Sequence, residues 1–173
     1  MMHDKANPMT RVAAGLLLLA LLGLLAGCGF HLKGYQQPVS PALNGLYVVD
    51  GDQRETLAGA VEHSLRIADI KLAADAASAR YTLKITQQRL QSRVMAVDAN
   101  GKALDSELRL QAGFRLDKTA GGEPVEQQVE IVRQLSYSGV DELAQRNERS
   151  QLASDMRNDL ADQIIRRLEA LLR

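Results

Sequence analysis

Between Ala103 and Asp117 the chain alternates in polarity. Leu104, Ser106, Leu108, Leu110, Ala112, Phe114 and Leu116 share one parity, and Asp105, Glu107, Arg109, Gln111, Arg115 and Asp117 share the other. Successive side chains on a strand point to opposite faces, so this stretch specifies a strand with one apolar and one wet face; a helical repeat would smear the two sets around its axis. At about 3.3 Å per residue, Ala103 to Leu116 reaches roughly 40 Å, beyond the usual strand of 3 to 10 residues. A sheet built around it must project past the helices that cover its base.

The neighbouring stretches supply its partners. Asn100-Gly101 ahead of it is a hairpin signal, since both central positions of a type I′ turn want positive φ. Before that, Tyr81, Leu83 and Ile85 alternate with Thr82, Lys84 and Thr86, while Leu90 and Val94 fall on the other parity. That switch predicts a bulge between Gln87 and Arg89. Lys118 to Pro124, with Gly121-Gly122, makes a second turn. A last strand then sets Val129, Ile131, Arg133, Leu135 and Tyr137 against Gln128, Glu130, Gln134, Ser136 and Ser138. Upstream, Leu46 to Val49 is a short apolar run of buried-strand type, Ile70 to Leu72 a brief edge piece, and Ala73 to Ala79 a small-residue connector able to form a turn of helix.

Two helices complete the pattern. Arg54 to Asp69 carries Leu57, Val61, Leu65 and Ala68 on one stripe, with Asp52 and Glu55 at capping-box spacing ahead of it. His63 lies off the stripe, as a solvated surface histidine does. After Gly139, a polar loop containing Asp141-Glu142 leads to a final helix capped by Asn147 or Ser150. Its stripe is Leu152, Met156, Leu160, Ile164, Leu168 and Leu171, with Asp155 near the start and Arg166, Arg167 and Arg173 near the end, as the helix dipole prefers. The order β-α-β-β-β-α gives an α+β fold: a two-layer sandwich in which a mixed four-stranded sheet carries both helices on one face and a long hairpin projects beyond them.

The N-terminal residues have a different character. Lys5 and Arg11 precede an apolar run from Val12 to Leu25, shorter than the roughly 20 apolar residues that span a bilayer. The chain has one cysteine, and it stands at the end of Leu25-Ala26-Gly27-Cys28, a stretch that resembles the lipobox of bacterial lipoproteins. Residues 1–27 are then a signal peptide that is cut away, starting at Met1, Met2 or Met9. Cys28 is the lipidated first residue of the mature chain, residues 28–45 with Pro38, Pro41, Asn44 and Gly45 form a tether, and residues 46–173 form a single domain. Gly29 stands where the inner-membrane retention signal would place an aspartate, so the expected destination is the periplasmic side of the outer membrane.

Twenty-one basic residues balance twenty-one acidic ones, which is no footprint for nucleic acid. With no tryptophan and two phenylalanines, stacking surfaces for sugars or bases are not expected, and a lone cysteine leaves the domain to stand on an aliphatic core. No catalytic constellation can be assembled: His31 in the tether and His63 on the first helix belong to no metal-ligand cluster, and no P-loop, nucleophile elbow or dinucleotide fingerprint occurs. The expectation is a binding subunit, not an enzyme, with no cofactor beyond the covalent lipid on Cys28.

Cys28-Gly29-Phe30-His31-Leu32-Lys33-Gly34, together with the element order, Tyr81-Thr82-Leu83-Lys84-Ile85, the Asn100-Gly101 hairpin and the closing helix, resembles the LPS-assembly lipoproteins, the LptE family. The resemblance covers residues 28–173. It implies an outer-membrane lipoprotein that plugs the lumen of a large β-barrel of the LptD type, helps to assemble that barrel, and binds lipopolysaccharide on its way to the cell surface. The family pattern puts basic residues just before the hairpin's Asn-Gly and just ahead of the final helix; here Ala99 and Gln145 stand there, with Lys102 and Arg146 close by. The lipopolysaccharide-binding candidates are therefore Arg93, Lys102, Arg146 and Arg149, since arginine grips phosphate bidentately. The candidates for partner contact are Glu107, Arg109, Gln111 and Arg115 on the wet face. A free-standing outer-membrane lipoprotein that binds lipid or envelope polymer as an adaptor fits the same residues.

Overall fold

The structure, a computed structural model, describes residues 39–51, 53, 56–137 and 142–173. Cys28, His31, the tether before residue 39, the Asp52 and Glu55 pair, Gly139 and Asp141 lie outside the described residues.

A 3-10 turn at Pro41–Leu43 leads into β1 (Leu46–Val48), α1 (Leu57–Ile67), β2 (Tyr81–Val97), β3 (Ala103–Lys118), β4 (Val125–Ser136) and α2 (Glu142–Leu171). The four strands form one mixed sheet in the order β1-β2-β3-β4. β1 runs parallel to β2, and β2, β3 and β4 form an antiparallel meander. Leu46, Val48, Leu83, the even-numbered residues of β3 from Leu108 to Leu116, Val129 and Leu135 form one core with Leu57, Val61 and Leu65 of α1 and Met156, Leu160, Ile164 and Leu168 of α2. The expected two-layer α+β sandwich is thus the observed one, with both helix stripes buried as their spacing requires.

Local details differ from the sequence expectation for identifiable reasons. The N-cap of α1 is Thr56, whose hydroxyl accepts from the Gly59 N–H at 3.1 Å. Thr56→Ala should lower stability by about 1 kcal/mol, seen as a lower denaturant midpoint at unchanged slope. The β2 bulge sits at Thr86, where the register passes from Ile85 opposite Phe114 to Gln87 opposite Gly113, and the ladder slips again around Met95. The bulge comes early because Gly113 offers the room: a Cβ there would stand 2.7 Å from the Thr86 hydroxyl.

The hairpin turn is not type I′. Asn100 keeps negative φ and only Gly101 is left-handed, at +79°. The Asp98 N–H donates to the Lys102 carbonyl, and the Asp98 carboxylate accepts from the N–H groups of Asn100 and Lys102 at 2.8 and 2.9 Å. A three-residue loop with a side-chain cap thereby replaces the tighter turn. Ala73–Ala79 forms turns and no helix. Lys71 and Ala73 instead bond Gly45 and Leu46 of the β1 segment, without forming a strand.

The largest difference is at α2, which begins at Glu142, well before Asn147 or Ser150. Its opening turns are rich in Glu, Leu, Ala, Gln and Arg, good helix formers that extend the helix without an apolar stripe. Those turns, through Gln151, are mostly exposed, and burial sets in at Ala153.

Candidate interaction face

The face of the sheet that carries no helix presents the odd-numbered side chains of β3. Glu107, Arg109, Gln111 and Arg115 all lie on it, and the structure ties them together. The Arg109 guanidinium reaches Glu107 at 3.3 Å and Glu130 of β4 at 3.1 Å, and the Gln111 amide donates to the same Glu130. Arg115 donates to Asp117 at 2.9 Å and lies 3.6 Å from Glu126. Each of these arginines meets two carboxylates, so the β3–β4 part of the face is hydrophilic and net acidic, while Lys84, Arg89 and Arg93 of β2 share the face and offset that charge.

The hydrogen bond from Arg115 holds the Asp117 carboxyl below its ordinary value of 3.8, with burial opposing and the arginine's charge assisting. Because the folded value is depressed, the stabilisation is present above the unfolded-state value and is lost as pH falls through the lower, folded one. The pair is open to solvent, so the effect on stability is small. Arg115→Gln should return the Asp117 titration, followed by carboxyl NMR, toward the ordinary aspartate range.

A shallow hollow of about 540 Å³ interrupts the face where Gly113 has no side chain, bordered by Gln87, Arg89, Gln111, Gln128 and Glu130. Its lining is amide-rich and lacks aromatic rings. Among the described residues no cluster of three or more His, Cys, Asp or Glu side chains could hold a metal ion, and His63 is exposed on α1.

The four basic candidates fall at one end of the fold but on two layers. Arg93 and Lys102 belong to the far half of the β2–β3 hairpin. Arg146 and Arg149 lie on the first turns of α2, which begins at that end because β4 runs toward it. Arg93 pairs in register with Glu107 and so points to the open face. Sequence reasoning passed over Arg89, which shares the open face with Arg93 because the Thr86 bulge resets the parity. It also passed over the tie from Arg133 to Asp159 of α2 at 2.7 Å, which lets a charged residue occupy the helix-covered face. The parity change at Leu90 and Val94 was the available signal for the first.

The family model described as "LptE: Lipopolysaccharide-assembly" matches residues 43–168. An LPS-assembly lipoprotein LptE of Photorhabdus laumondii is 28% identical over 159 residues, 91% of this chain and 85% of that relative. The protein of the same name from Yersinia pestis is 29% identical over 91% of this chain and 75% of its own length. Among solved structures, the rare lipoprotein B of Shewanella oneidensis superposes with a TM-score of 0.61 at 22% identity, over 69% of this chain and 89% of that one. A lipoprotein B of Nitrosomonas europaea gives 0.57 at 23% identity, over 67% of this chain and 76% of that one. These two share the fold.

Proposed function

The chain belongs to the lipopolysaccharide-assembly family LptE, and from that premise we propose that it is an outer-membrane lipoprotein that plugs and helps to assemble a β-barrel translocon and binds lipopolysaccharide during delivery to the cell surface. Cys28 carries the lipid, and the domain works from the periplasmic side. The observation that carries the plug reading is the uncovered sheet face. A barrel lumen is polar and wet, and a hydrophilic face on which Arg109 and Arg115 already hold carboxylates, with the charges of β2 still open to water, is suited to it.

The lipid reading is supported by the four basic side chains at one end of the domain, where phosphate groups meet arginine and lysine. Exchanging Arg93, Lys102, Arg146 and Arg149 for glutamine together should weaken lipopolysaccharide binding and flatten its salt dependence, with an unchanged melting temperature. Unchanged binding would place the lipid elsewhere. No catalytic step is assigned to the chain.

Two measurements test the partner. Mild detergent extraction of the full-length chain should co-purify a large outer-membrane barrel, and photocrosslinkers at Gln111 and in residues 118–124 should join the two in living cells. Depleting the chain should lower correctly assembled barrel and admit large antibiotics. Normal barrel levels and normal surface lipopolysaccharide after depletion would rule out the plug and leave the free-standing adaptor.

A further inference from the structure

β1 pairs with β2 only from Tyr81 to Leu83. Val49, Asp50, Gln53, Thr56 and Ala58 flank the next residues as far as Gln88, whose side-chain oxygen accepts from the Leu57 N–H at 3.4 Å. Beyond that point β2 runs on to Val97, and among the described residues nothing pairs with its edge. The direction of its backbone follows from the ladder. The Leu104 carbonyl accepts from the Tyr137 N–H, so the even-numbered residues of β3 bond toward β4 and the odd-numbered ones toward β2. Arg89, Gln91 and Arg93, opposite Gln111, Arg109 and Glu107, therefore close the β2–β3 ladder. The N–H and C=O groups of Leu90, Ser92 and Val94 face the open edge.

We propose that this edge, Arg89 to Val97, is a strand-addition site for an extended segment of another protein in which apolar and acidic residues alternate. An added strand gains affinity from main-chain hydrogen bonds and specificity from its alternate side chains. On the helix side it would meet Leu90 and Val94, which are 42% and 52% exposed because α1 begins level with Gln88 and does not reach past it. On the open face it would meet Arg89, Gln91 and Arg93. Arg109, Arg115 and Arg133 all hold carboxylates, whereas no carboxylate of the described residues holds Arg89 or Arg93. Opposite charges across a strand pair stabilise and like charges directly opposite do not, so the complement is a strand with acids on that face.

A second copy fits poorly. Antiparallel pairing of two β2 edges would set arginines against arginines, and the acids on the β4 edge, Glu126 and Glu130, are already held by Arg115 and Arg109. The edge also lacks the proline and lysine that often guard exposed strands against such pairing.

The full-length chain in detergent, with no lipopolysaccharide present, provides the test, so its failure would leave the lipid reading untouched. A blocked octapeptide alternating glutamate and valine should slow amide hydrogen exchange at Leu90, Ser92 and Val94, and the same peptide with lysine in place of glutamate should not. Ser92→Pro removes one free N–H without touching the β3 ladder and should weaken binding roughly tenfold, the worth of about one to two net hydrogen bonds. Arg89→Glu leaves the backbone alone and should shift the preference toward the lysine peptide, which decides the matter if the proline variant misfolds. No protection, equal protection by both peptides, or protection that grows with chain concentration in the absence of peptide would overturn the proposal, the last by showing a second copy on the edge.

Discussion

Cys28→Ser is expected to leave an uncleaved precursor that never reaches the outer membrane. On the lipobox reading, lipid attachment is set by the Leu25-Ala26-Gly27-Cys28 junction, and each buried CH2 group contributes about 0.8 kcal/mol, so several acyl chains would hold a domain at a bilayer for practical purposes permanently. A serine hydroxyl cannot stand in for the thiol in that processing. Metabolic labelling with a fatty-acid analogue followed by membrane fractionation gives the answer in one gel: wild type labelled and in the outer membrane, the variant unlabelled and longer. A labelled serine variant would sink the lipobox reading and with it the division at residue 27.

Leu160→Ala should cost about 2 to 5 kcal/mol, a large share of the roughly 5 to 15 kcal/mol that holds a domain folded. Leu160 is fully buried in the middle of the α2 stripe, in the cluster that includes Leu108, Leu110 and Phe114 of β3. Its removal leaves a cavity between helix and sheet that neither layer can collapse to fill. Gln111→Ala, on the open face, should cost no more than about 0.5 kcal/mol, as surface changes usually do. Thermal melts of the two variants separate the layers. Equal losses would mean that the helices do not cover one face only.

The alternation from Leu104 to Leu116 foretold the sheet correctly because period two follows from strand geometry alone, and the α1 and α2 stripes followed from period 3.6 in the same way. What failed were features decided by a neighbour's shape. The bulge falls at Thr86 because Gly113, across the ladder, has no Cβ. The hairpin loop widens because the Asp98 carboxylate captures two backbone N–H groups. Leu104, on the core parity, is 42% exposed because the projecting end of the hairpin outruns its helical cover. The start of α2 was hidden by the absence of a stripe in its first turns, where propensity and not burial holds the helix. Of the interaction face, the parity of Glu107, Arg109, Gln111 and Arg115 was readable; their carboxylate partners on β4 were not, since a single strand cannot announce its register.

The described chain begins at the base of the sheet. The Ser40 N–H donates to Glu169 near the end of α2 at 2.6 Å, and Leu46 pairs with Tyr81, the first residue of β2. The Asn100-Gly101 turn lies at the opposite extreme, at the end of the sixteen residues of β3. At about 3.3 Å per residue that separates the two ends by roughly 50 Å, comparable to the thickness of a bilayer with its head groups, about 40 to 45 Å. A domain held at its base thus works at arm's length: movement of a few degrees at the holding point sweeps the far turn sideways by several ångströms, while residues beside the 3-10 turn barely shift.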